Sequence, residues 1–109
     1  MATEKIIGSA SALNTGAVYL TGLAAGRFHL VADEPVAYGG AAAGPSPVDY
    51  LCMALASCKV ITIRMYVQRK GWKLDQVSVQ VEMLKSEGMP SRQQRFGCDV
   101  LLAAVQNAA

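Results

Sequence analysis

Apolar and polar positions change their rhythm several times along the chain, and each rhythm predicts an element. From Val77 to Glu82, valines at 77, 79 and 81 alternate with Ser78, Gln80 and Glu82, the period-two pattern of a half-buried strand. Between residues 16 and 33, the runs AVYLTG and RFHLVAD read as two strands joined by the small LAAG segment, which predicts a hairpin. The stretch from Asp33 to Ser46, DEPVAYGGAAAGPS, is built from Gly, Ala and Pro and reads as a flexible connection.

A long helix follows. Ser46 supplies an N-cap hydroxyl, Pro47 suits the first helical position and Asp49 falls at the third, as a capping box requires. Gly71 ends the helix, and Arg69 and Lys70 complement its negative end, so it spans Pro47 to Lys70 and measures about 36 Å. Its apolar residues surround the axis instead of forming one stripe, which predicts burial on most sides and more cover than one small sheet provides. Lys85 to Arg95 reads as a polar turn, and FGCDVLLAAVQNAA fits either a short closing helix or a strand.

Composition narrows the function. With 109 residues, 52% hydrophobic and 17% charged, the chain is expected to fold as a single domain, 1–109. A domain of this size buries only about two-thirds of its unfolded surface, so the apolar surplus predicts an oligomer. Ten basic and eight acidic residues, without a basic run, argue against nucleic acid. The nearly uncharged stretch from Val36 to Cys58 is interrupted by Asp49 and the Gly/Pro cluster, so no membrane span is expected. The N-terminal MATEKIIGSASALN lacks the apolar core of a secretory signal, and the expected location is cytoplasmic. No Gly-Lys-Ser/Thr follows the Gly-rich loop, which removes a nucleotide-binding reading.

Cys52, Cys58 and Cys98 are odd in number and lack a CxxC spacing, which suits reduced thiols. Cys58, in ALASCKVIT, reads either as a small core residue or as a reactive thiolate beside Lys59. Cys52 lies six positions upstream, about 9 Å along the helix axis and too far for a disulfide with Cys58. Asp49 is either the capping acid alone or a catalytic carboxylate. His29, the one histidine, reads as structural, and no metal site or cofactor is expected. Arg64, with the other helix-end cations, reads as solvated, and Trp72 as a lid on the core.

Three features together resemble the OsmC/Ohr family: the DEP-x3-GG-x3-GPSP approach, the LxxAL-x2-C helix containing Cys58, and the RMYVQRKGW helix exit. The likeness covers about 50 consecutive residues and is to the OsmC-like branch. It implies an α+β fold with an antiparallel sheet packed on a long central helix, in an intertwined homodimer. It also implies a thiol peroxidase that reduces organic hydroperoxides at the expense of a thiol reductant. Cys58 matches the family's reactive cysteine. The family's glutamate falls where Val48 stands, while Asp49 matches an acidic position common in OsmC-like relatives, and the N-terminal arginine has no counterpart before Arg27. No CPV motif follows, leaving Cys98 as the candidate resolving thiol, and the family's later strands and second helix are expected to be largely absent after Lys85. The alternative is a non-catalytic or ligand-binding dimer in which Cys58 only packs.

Overall fold

The computed structural model describes residues 3–84 and the backbone of residues 95–103. The fold is α+β, with five strands and one long helix among the described residues. Two compact units divide the chain, Met1–Asp49 and Tyr50–Ala109.

In the first unit, strands β1 (Ser11–Asn14), β2 (Thr21–Ala25) and β3 (Phe28–Ala32) form an antiparallel sheet in that order. The expected hairpin is present as β2–β3, with Ala25 opposite Phe28 and the turn at Gly26 and Arg27. Its first strand lies later than the sequence pattern placed it. Leu23, Ala24 and Ala25 extend β2, and residues 15–20 make the turn from β1, where the Asn14 side chain donates to the Val18 and Leu20 carbonyls. Strand alternation puts Leu23 and Leu30 on one face and Leu13 and Val31 on the other, so both faces carry apolar side chains.

The connection from β3 to the helix is organised rather than loose. A single 3-10 turn at Val36–Tyr38 is followed by a run of backbone bonds in which Gly39, Gly40 and Ala42 donate to Val36, Pro35 and Glu34. Gly40 is required for space: a Cβ there would run into the Glu34 carbonyl and come within 2.9 Å of the Asp33 carboxylate.

Helix α1 spans Pro47–Lys70, with the bounds expected from its caps. Ser46 and Asp49 form the reciprocal capping box, the Asp49 N–H donating to Ser46 Oγ at 3.1 Å and the Ser46 N–H to Asp49 Oδ2 at 3.0 Å. At the other end Gly71 takes a left-handed φ of 71°, and the N–H groups of Gly71 and Trp72 donate to the Gln68 and Val67 carbonyls. These two bonds make a Schellman stop. At 24 residues the helix is long and apolar enough to cross a bilayer, a property that core helices of soluble proteins share.

The second unit pairs β4 (Gln76–Leu84) with β5 (Arg95–Ala103) in an antiparallel ribbon. The tail is therefore a strand as far as Ala103. The polar segment 85–94 and residues 104–109 lie outside the described residues. Arg64 is no solvated cation: its guanidinium donates to the Leu74 carbonyl at 2.6 Å and the Asp75 carbonyl at 3.3 Å, tying the helix to the start of β4. Trp72 is no core lid in the single chain. It is 60% exposed and meets Tyr66 edge to face, with ring centroids 5.7 Å apart.

Among the described residues only Ala32, Val67 and Asp33 are buried. Leu51, Met53, Ile61, Met65 and Tyr66 on the helix are exposed, so the burial expected all round this helix is not supplied by the single chain.

Candidate redox site

Cys58 sits in the middle of α1, a full turn or more from either end, where helical geometry fixes its backbone. The thiol is free and exposed. It opens into a shallow hollow of about 280 Å³ whose other walls are Lys59, Thr62 and Ile63. Thr62 is one turn beyond Cys58 and Lys59 is its neighbour in sequence. Immediately before Cys58, Ser57 Oγ donates to the Ala54 carbonyl at 3.0 Å, which ties up that hydroxyl.

Cys52, the other free thiol of the helix, is half-buried, and along a helix it lies about 9 Å from Cys58. Cys98 belongs to β5, at the register position opposite Val81. Asp49 is in the capping box, nine residues and about 13 Å up the helix from Cys58. Arg27 lies in the β2–β3 turn with its guanidinium over the Phe28 ring, 5.2 Å from the centroid. Among the described residues no group of three His, Cys, Asp or Glu side chains is arranged to hold a metal.

One residue that the sequence pattern did not single out is Asp33. It is the one buried charged residue among those described, 2% exposed. Its Oδ1 accepts the Glu34 N–H at 2.7 Å, and its Oδ2 accepts the N–H groups of Ala41 at 3.3 Å and Ala43 at 3.2 Å. The Ala43 bond is the largest influence on its acidity and holds the carboxyl below the ordinary value of 3.8. Burial pulls the other way, and the Glu34 and Ala41 bonds add to the lowering. In the Gly-rich loop the N–H groups of Gly39, Gly40, Ala41, Ala42 and Ala43 are engaged within the chain, two of them by the Asp33 carboxylate.

A family model described as OsmC-like protein matches residues 39–106. The chain belongs to the OsmC-like family. The family is one of redox proteins of the peroxidase type. Among solved structures, the chain is similar to one from Legionella pneumophila described as an organic hydroperoxide resistance protein OsmC and regulator of sulfide bond formation. The two share 18% identity with a TM-score of 0.64, over 90% of this chain and 70% of the other, a likeness of fold. No curated protein sequence matches the chain significantly.

Proposed function

We propose that this OsmC-like protein is a thiol-dependent peroxidase that reduces organic hydroperoxides through Cys58. The observation that carries the reading is an exposed thiol in mid-helix, open to a hollow beside Lys59, in the LxxAL-x2-C context of the family. The thiolate is the nucleophilic form of a cysteine. The thiolate attacks the peroxide oxygen farther from the organic group, and the O–O bond breaks. The organic alcohol leaves after taking up a proton, and Cys58 becomes a sulfenic acid. A thiol then condenses with the sulfenic acid, releasing water and forming a disulfide, and a second thiol reduces that disulfide.

Cys98 or an external small thiol fills the resolving role, because Cys52 cannot reach Cys58 along one helix. Any part taken by Asp49 is played on the thiol of a partner subunit, for the same reason of distance. The working unit is a homodimer, supported by the apolar side chains left exposed on α1. The cytoplasm suits three thiols kept reduced.

A second reading is a ligand-binding OsmC-like dimer in which Cys58 packs at the interface. It is favoured by Val48 at the family's glutamate position and by the absence of a CPV motif. Turnover of cumene hydroperoxide with a dithiol reductant separates the two. Cys58→Ser is expected to reduce the rate to the uncatalysed background while Cys52→Ser retains it. A Cys58→Ser protein as active as the parent would establish the packing reading instead.

A further inference from the structure

Asp33 holds the connection to α1 at two places. Its carboxylate accepts from Ala41 and Ala43, and its own N–H donates to the Pro45 carbonyl at 3.1 Å, immediately before the capping residue Ser46. Between the two alanines gripped by the carboxylate, Ala42 has a φ of 52°, a left-handed conformation that residues with a side chain rarely adopt. Such a residue persists only where its surroundings over-determine it. Here they do so through the Asp33 bonds on either side and the Ala42 N–H bond to the Glu34 carbonyl at 3.1 Å. Gly40 lies against the same carboxylate, so the loop is closed tightly around one charged group.

We infer that Asp33 is a positioning residue, a clasp that holds the Ala41–Ala43 stretch in its strained form and thereby fixes where α1 begins. Side chain and main chain of the same residue grip the loop on both sides of Gly44. Release of the carboxylate bonds lets Ala42 relax to negative φ, and the path to Ser46 changes with it. This role goes beyond the peroxidase reading and stands without it. Where that reading holds, the clasp also sets the helix that carries Cys58, and this clause alone rests on it.

The test is a double-mutant cycle of Asp33→Asn and Ala42→Gly, with amide hydrogen exchange followed by NMR at Ala41, Ala43, Ser46 and Asp49. Asp33→Asn is expected to speed exchange at all four amides at least tenfold. Ala42→Gly, which accepts positive φ freely, is expected to restore protection of Ser46 and Asp49 in the Asp33→Asn background and to do little in the parent. Faster exchange confined to Ala41 and Ala43, or an Ala42→Gly effect equal in both backgrounds, would overturn the clasp. Should Asp33→Asn fail to fold, Ala42→Val strains the same stretch without touching the carboxylate and is expected to loosen the same four amides. Unchanged protection of Ser46 and Asp49 in that variant would equally overturn the inference.

Hydroperoxide turnover tests the remaining clause. Asp33→Asn is expected to lower kcat/KM and the double variant to regain it. Unchanged turnover in Asp33→Asn would confine Asp33 to the fold. A parent protein without turnover would defeat the peroxidase reading and leave the exchange pattern to decide the clasp.

Discussion

Asp33 and Cys58 are opposite cases at the scale of the residue. Cys58 is visible in the sequence because its neighbours, small residues before it and Lys59 after it, are themselves the signal. Asp33 enters the sequence reading only as the first residue of the DEP motif, because its partners are main-chain N–H groups eight and ten residues on, at alanines whose side chains carry no polar mark. Arg64 was misread for the same reason, since both its acceptors are main-chain carbonyls near the start of β4. The lowered acidity of Asp33 fixes the direction of a pH effect. Its folded-state pKa lies below the ordinary 3.8, so between those values the unfolded chain binds more protons and stability rises with pH. The contribution is complete above about pH 5 and is lost as pH falls through 3.8 toward the folded value. Urea unfolding between pH 3 and 7 is therefore expected to show the parent more stable than Asp33→Asn at neutral pH, with the gap closing in acid. A gap independent of pH would show that the carboxylate charge is not what stabilises the loop.

Elements were legible in proportion to how local their signals are. Helix α1 was bounded correctly at both ends because Ser46, Pro47, Asp49 and Gly71 all act within one turn. Strand β4 was found from its alternation. Strand β1 was missed: SALN is only four residues long, has no alternation, and is a strand only because β2 pairs with it. The LAAG segment was misplaced because small residues serve in strands as well as in turns, and cross-strand pairing decides between them. The rotational spread of apolar residues around α1 makes an element-scale prediction. Leu51, Met53 and Ile61, exposed on the helix, are the side chains that the proposed dimer would cover, and an obligate dimer is stabilised by mass action. The thermal unfolding midpoint is expected to rise with protein concentration. Light scattering that finds a stable monomer at micromolar concentration would contradict the dimer.

At the scale of the whole molecule, the described residues combine a well-specified local structure with few buried side chains. Ala32 and Val67 are the buried apolar residues among those described, and both faces of the three-stranded sheet carry apolar side chains. Short-range signals therefore gave much of the architecture, whereas cover for the apolar surfaces is expressed in one sequence read alone only as a surplus of apolar residues. The candidate site was legible to the same degree. Cys58 stood out by context, Asp49 was placed in its cap, and the position of Cys98 depended on β5, which the ambiguous tail pattern did not fix. The central claim is that Cys58 is the thiol that meets the peroxide. Peptide mapping by mass spectrometry after one equivalent of cumene hydroperoxide tests it most directly. The account predicts Cys58 oxidised first, as a sulfenic acid or in a disulfide with Cys98 or a small thiol, and no disulfide between Cys52 and Cys58 of one chain. An unmodified Cys58 beside an oxidised Cys52 or Cys98 would contradict it.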